Sequence, residues 1–317
     1  MIRRNGGWSI GTPSEMTAFY PTQKELEDWV ASIWDLAKNT KCEAHILEEN
    51  GFSDRLGVFH FSEEFRYVQF SPQSMDTFYG YWQPAHSTPA PLLVHVPGYG
   101  AEMSTHPALV REGYNVLHIC PLGYVTPEGP DESKKENTDW PVLPNTVSSQ
   151  GEKGYKNWLA NCLMAIDWAM NQPEVLRDRV SFFGTSQGGG GALLLGSLYH
   201  EHGVRCVAAD LPFLTHFMLA DGCGAYGRAS RGFRYLEEPA AGWKALGFID
   251  TLSHAYRLTV PVLLTAGGKD DTCPPETIDA LFNRLPGTRS LTYLKNGVHR
   301  YSNEFIPLAS AWFRLYA

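Results

Sequence analysis

The stretch Val180-Ser181-Phe182-Phe183-Gly184-Thr185-Ser186-Gln187-Gly188-Gly189-Gly190-Gly191 decides how this chain is read. It passes from a short apolar run, through Gly-x-Ser-x-Gly, into a small-residue and aliphatic segment at 188–200. Strand, sharp turn and helix in that order are what a nucleophile elbow requires. Such a turn holds the serine backbone in a strained conformation. Glycines flank it because a Cβ there would collide with the neighbouring strand and helix. Ser186 Oγ would then project from the carboxyl edge of a sheet. The Gln187 N–H, at a helix N-terminus, would be aimed at a developing oxyanion. A plain glycine-rich turn with a serine N-cap is the bland alternative. A phosphate loop would need Gly-Lys-Ser/Thr after the glycines, and the chain has none there.

Working outward, short apolar runs recur at 92–96, 115–120, 204–209, 260–266 and 290–294. Helical patterns separate them at 155–170, 188–200, 275–285 and 303–316, the last with Ser302 or Asn303 as its N-cap. Apolar runs alternating with helices predict a parallel sheet covered on both faces. Ahead of it, 22–38 has the spacing of an amphipathic helix, and 55–61, 65–70 and 77–83 read as strands. Residues 125–154, with four prolines, read as a long loop or insertion. We expect one domain over 1–317: an N-terminal helix plus antiparallel strand extension at 1–90, and a catalytic core at 91–317.

A serine elbow calls for an acid and then a histidine further along the chain, the order of the α/β-hydrolase fold. Asp270 follows the run at 260–266 and Gly267-Gly268, with Asp271 beside it. Asp210, at the end of 204–209, is the third candidate, because the acid can sit on the preceding strand. The base belongs between the last strand and the last helix, where His299 stands in Gly297-Val298-His299. A second oxyanion donor should come from the loop after 92–96. There the backbone N–H of Tyr99 lies between Gly98 and Gly100. The chemistry implied is acyl transfer through Ser186, His299 and an aspartate, which needs no cofactor.

Composition narrows the field. The 317 residues carry 26 Lys+Arg against 34 Asp+Glu, a net charge of −8. With no basic run longer than Lys134-Lys135, nucleic acid and anionic membrane surfaces are poor partners. No apolar run reaches the roughly 18 residues that spanning a bilayer takes. Arg3 and Arg4 are not followed by the apolar segment of a secretory signal. Cys42, Cys120, Cys162, Cys206, Cys223 and Cys273 are scattered, which predicts free thiols in a reducing, cytoplasmic setting. A metal site is not expected, because no Cys/His cluster is visible along the chain.

Four stretches resemble the acetylxylan esterase / cephalosporin C deacetylase family, carbohydrate esterase family seven. Gly98-Tyr99 resembles its oxyanion loop, and Gly184-Thr185-Ser186-Gln187-Gly188-Gly189 its Gly-x-Ser-Gln-Gly-Gly elbow. Leu211-Pro212-Phe213-Leu214-Thr215-His216-Phe217 resembles its Pro-Phe-Leu segment, and Asp270-Asp271-Thr272-Cys273-Pro274-Pro275 its acid loop. The last match favours Asp270 over Asp271 and Asp210. The resemblance implies deacetylation of a carbohydrate or similar alcohol, a small acyl pocket lined by Tyr99, Phe213 and Thr272, and a homo-oligomeric assembly. Two features depart from the family pattern. Cys120-Pro121-Leu122-Gly123-Tyr124 replaces its Arg-Gly-Gln, and Arg300 rather than Glu follows His299. Trp140 and Trp243, in or near expected loops, are the candidate sugar-stacking residues. A peptidase or longer-acyl esterase on the same fold, and a non-catalytic binding domain, are the competing readings.

Overall fold

The computed structural model describes residues 19–47, 65–98, 104–126, 129–131, 153–231 and 239–317. The chain enters through helix α1 (Gln23–Asn39). Thr22 and Glu25 close a reciprocal capping box at its start, and Leu26, Trp29, Val30 and Ile33 form the buried stripe. Strands β1 (Cys42–Ile46), β2 (Arg66–Pro72) and β3 (Phe78–Gln83) follow, paired antiparallel. Strand β1 was not expected: three of its five residues are exposed, so it has no strong apolar pattern. The strand expected at 55–61 lies outside the described residues.

Strand β4 (Ala90–Val96), helix α2 (Pro107–Arg111) and strand β5 (Asn115–Cys120) come next. A two-residue hairpin, β6 (Val125–Thr126) and β7 (Gly129–Pro130), occupies the start of the expected insertion. Helix α3 (Lys153–Met170) leads to β8 (Val175–Thr185), α4 (Gln187–Leu198) and β9 (Val204–Asp210). Helices α5 (Gly224–Arg231), α6 (Pro239–Gly247) and α7 (Thr251–His254) fill the connection to β10 (Val262–Gly267). The chain closes with α8 (Pro275–Arg284), β11 (Arg289–Leu294) and α9 (Phe305–Tyr316). The expected N-cap of α9 is corrected: Glu304, not Ser302 or Asn303, takes that position, without a side-chain cap bond.

Nine strands form one sheet in the order β1-β2-β3-β5-β4-β8-β9-β10-β11. Strand β5 pairs antiparallel with β3, and every pairing from β5 across to β11 is parallel. The extension therefore continues the sheet of the core. From β4 the chain goes to β5 on one side and later returns to β8 on the other. That reversal opens a crevice at the carboxyl ends of β4 and β8, where open parallel sheets hold their ligands. Both faces are covered, and the split follows the two-residue period of a strand. Leu92, Val94 and Val96 of β4 join the core under α1, α3 and α4, while Leu93 faces the cluster built on Leu109 of α2 and Phe313 of α9. This is the α/β-hydrolase architecture.

His254, at the end of α7, is fully buried between Ser197 Oγ on Nδ1 (2.8 Å) and the Phe248 carbonyl on Nε2 (2.9 Å). Burial pushes its pKa down to about 4. The unfolded chain takes up this proton below about 6.5, and the folded one does not until near 4. The contribution to stability is thus whole above about 6.5 and is lost as pH falls. Between pH 7 and 5 it shrinks by about 2 kcal/mol. Urea midpoints of wild type and His254→Gln at the two pH values check this. The variant should show the flatter pH slope, and equal slopes would contradict the assignment.

Candidate active site

The elbow is built as the sequence predicts, and close packing explains its glycines. Ser186 sits at φ +58°, ψ −119°, between β8 and α4. That conformation is costly for a residue with a side chain, and it persists because three hydrogen bonds hold it. The Ser186 N–H donates to the Asp210 carbonyl (2.8 Å), and the Ser186 carbonyl accepts from Gly190 N–H (3.0 Å) and Phe213 N–H (2.9 Å). A Cβ on Gly188 would lie 2.1 Å from the Val96 carbonyl oxygen, and one on Gly184 would lie 2.6 Å from it. The elbow thus rests directly on the end of β4, and Gly190 lies as tightly against the Phe213 carbonyl, 2.1 Å from where its Cβ would be.

Three side chains meet at this crevice. Ser186 Oγ and His299 Nε2 are 2.8 Å apart. His299 Nδ1 lies 2.8 Å from Asp270 Oδ2. Asp270 Oδ1 is held in turn by the Thr272 N–H (2.9 Å) and the Cys273 N–H (2.8 Å). The acid is buried, while the histidine side chain keeps 20% of its surface open to solvent. A carboxylate oriented from behind by two main-chain donors, an imidazole between, and a hydroxyl at the open end can move a proton off Oγ and stabilise the resulting imidazolium.

The other two acids do not reach the imidazole by hydrogen bond. Asp271 is exposed and accepts from the Thr272 hydroxyl at 3.4 Å. Asp210 is fully buried below the elbow, accepting from the Thr265 hydroxyl and from Thr185 Oγ1 (2.9 Å). Burial raises its pKa to about 6, against the two hydroxyl donors and the nearby His299, which act the other way. Its role in the geometry is to carry the carbonyl that grips Ser186 N–H. No sequence signal distinguishes the Thr185 and Thr265 hydroxyls that hold it, because they come from two separate strands.

The model of the acetyl xylan esterase family (AXE1) matches residues 26–314. The chain belongs to the acetyl xylan esterase family. It is also 26% identical over 253 residues to acetyl esterase Axe7A of Xylanibacter ruminicola, an alignment covering 75% of this chain and 56% of that protein. The chain therefore spans about half the length of the curated relative it matches. Among solved structures, acetyl xylan esterase 1 from Thermoanaerobacterium sp. JW/SL YS485 superposes with a TM-score of 0.75 at 20% identity, covering 96% of this chain and 98% of that one. The acetyl xylan esterase from Paenibacillus sp. R4 gives a TM-score of 0.74 at 18% identity, with 97% and 100% covered. These two likenesses concern the fold, which this chain shares over nearly its whole length.

The Gln187 N–H is at the first residue of α4, directly behind Ser186. Its side-chain amide donates to the buried Tyr155 hydroxyl at 3.1 Å, turned into the core. Tyr99 lies outside the described residues, as does Trp140. Gly98 is described, and a Cβ there would meet the Tyr301 hydroxyl at 2.7 Å. Tyr301, 60% exposed and two residues beyond His299, is therefore an aromatic at the rim that sequence reasoning missed. Phe213 is buried among Phe217 and Tyr226, ring centroids 5.7 and 4.5 Å away. Thr272 is half-buried and orients Asp270 through its N–H. Trp243, on α6, packs half-buried against the core.

All six cysteines are free thiols. The expectation that no Cys/His cluster exists is corrected: His95, His106 and His118 bring three ring nitrogens within 4.8 Å of one another. The cluster is invisible along the chain because parallel pairing of β4 and β5 sets His95 opposite His118 across 23 positions. Among the described residues no helix is long and apolar enough to cross a membrane.

The two neighbouring aspartates offer a sharp comparison. Asp270→Asn keeps the shape but offers an N–H where the imidazole needs an acceptor. The turnover rate should fall by about 10⁴-fold with little change in folding. Asp271→Asn should stay within about threefold of wild type, since its carboxylate touches neither His299 nor Ser186. Initial ester-hydrolysis rates of the two variants check this, and a reversed order would exchange their roles.

Proposed function

We propose that the protein is a serine esterase that removes short acyl groups, acetyl foremost, from a carbohydrate or related alcohol. The observation that carries this reading is the continuous hydrogen-bonded chain from Ser186 Oγ through His299 to Asp270, with family membership supplying the acyl group. His299 Nε2 takes the Ser186 proton as Oγ bonds to the ester carbonyl carbon, and the carbonyl π electrons move onto oxygen. The oxyanion forms beside the N–H of Gln187, with the backbone N–H of Tyr99 as the second donor in this reading. Collapse breaks the bond to the alcohol, which leaves with the proton from His299. Water then gives a proton to the same nitrogen and attacks the acyl-serine. The carboxylic acid departs, and Oγ recovers its proton. Asp270 fixes the tautomer with Nδ1 protonated and balances the positive charge on the ring.

In this reading Phe213 and Thr272 bound a small acyl pocket, and Tyr301 offers an exposed aromatic face to the alcohol. The separate thiols favour a reducing compartment, for which we propose the cytoplasm. Rates on p-nitrophenyl acetate, butyrate and octanoate test the acyl preference. Acetate should be favoured over octanoate by at least about tenfold, the discrimination that roughly 1.4 kcal/mol supplies. A Ser186-dependent preference for octanoate would keep the serine chemistry and remove the small pocket. Acetate release from acetylated xylo-oligosaccharides tests the alcohol side.

A further inference from the structure

We propose that His95, His106 and His118 form a binding site for one borderline divalent transition metal ion, Zn²⁺ being the representative. The three come from separate elements. His95 and His118 are register partners on β4 and β5, and His106 stands at the N-cap position of α2. One nitrogen from each lies within 4.8 Å of the others. His95 Nδ1 and His118 Nδ1 face one another 2.6 Å apart, across a hydrogen bond that an ion between them would replace.

The surroundings favour a cation over a mere hydrogen-bonded pair. His95 and His118 are 6% and 0% exposed, and Phe183 closes the pocket, its ring 4.7 Å from that of His95 and 5.0 Å from that of His106. His106 Nε2 is sealed from solvent and has no hydrogen-bond partner among the described residues. A buried polar nitrogen left so costs free energy that a ligand would recover. His106 is also placed from its main chain, its N–H donating to Gln83 Oε1 at 2.7 Å. Three imidazoles with no carboxylate in the set suit Zn²⁺, Co²⁺, Ni²⁺ or Cu²⁺ and not Mg²⁺ or Ca²⁺. Bonds of about 2.0–2.1 Å to zinc put ligand nitrogens roughly 3.3 Å apart in a tetrahedral site. The two Nδ1 atoms would therefore part by under about 1 Å.

The position gives the site a consequence. His95 precedes Pro97-Gly98 by two residues, and His106 follows on the far side of Tyr99. One ion would fasten together both ends of the segment that carries the candidate oxyanion donor. No member of the Ser186–His299–Asp270 chain is among its ligands. The metal proposal thus stands or falls separately from the esterase reading.

The test uses the full chain, stripped with chelator, dialysed and titrated with ZnCl2 by calorimetry, then with CoCl2 by visible absorption. We expect one equivalent to bind and the melting temperature to rise on zinc addition. Cobalt should bring d–d bands without the near-ultraviolet thiolate band that cysteine ligation would give. MgCl2 should not bind. His106→Gln changes a half-buried residue that makes no side-chain cap bond, so the metal-free variant should melt as wild type does. Its zinc affinity should fall by more than the roughly 100-fold that loss of an outer-shell partner costs, and zinc should no longer raise its melting temperature. Absence of one-to-one binding, a thiolate band, or zinc binding unchanged in His106→Gln would each overturn the proposal.

Discussion

Ser186→Ala should lower the turnover of p-nitrophenyl acetate by about 10⁵–10⁶-fold and leave the fold intact. The size follows from what the hydroxyl does in the proposed mechanism. It is the only atom in the His299–Asp270 line positioned to form the covalent intermediate, 2.8 Å from Nε2. Without it the imidazole has no side-chain nucleophile to deprotonate. The residual rate should come from the oxyanion donors and from binding alone. Stability should hardly fall, because Oγ makes no cap bond to α4 and alanine keeps the Cβ. Relief of the strained φ is not expected, since the main-chain bonds to Asp210, Gly190 and Phe213 remain. Rates measured alongside thermal melting separate the two effects. A variant that melts normally yet keeps a tenth of the activity would remove Ser186 from the chemistry.

Gly188→Ala should be among the most damaging single methyl additions at the described residues. The added Cβ would sit 2.1 Å from the Val96 carbonyl and 2.7 Å from that of Pro97. Both are main-chain atoms at the end of a central strand, so no side chain can swing aside. Strand β4 carries Leu92, Leu93, Val94 and Val96, all fully buried, and it pairs on both sides. Relief therefore means prising α4 off the sheet, at a cost we expect above about 4 kcal/mol. The elbow would move with the helix, and Ser186 Oγ would leave His299. Soluble yield, melting temperature and activity should all collapse together. A well-folded, active Gly188→Ala protein would mean that the contact between elbow and β4 is looser than described.

How much of this was legible in the sequence depends on whether the signal was local. The strand at 115–120 matches β5 end for end, its four apolar residues and the buried Asn115 and His118 making six buried positions in a row. Helix α1 was legible from its stripe, and its start was written in Thr22 and Glu25. The edge strand β1 was not, since an exposed strand has no burial pattern to leave in the chain. Strand β8 runs longer than its apolar part because Arg177, Asp178 and Arg179 are exposed residues within it. Helices α5 and α6 escaped notice as short, glycine- and alanine-rich segments. In the site, chain order and motif brought Ser186, Asp270 and His299 to light. Spacing alone could not rank the three aspartates. Only the fold shows that Asp270 meets His299, that Asp210 is turned under the elbow and that Asp271 faces solvent. His95 and His118 meet through parallel strand pairing and His106 stands at the start of α2, so nothing local announced the cluster.

Labelling with a fluorophosphonate tests the central claim most directly. The reagent phosphonylates a serine only where a base and oxyanion donors activate it. The account predicts one phosphonyl group per chain, mapped by peptide mass spectrometry to Ser186, with ester hydrolysis lost in proportion to labelling. Full labelling of Ser186 with activity retained, or activity lost through a label on another residue, would contradict it.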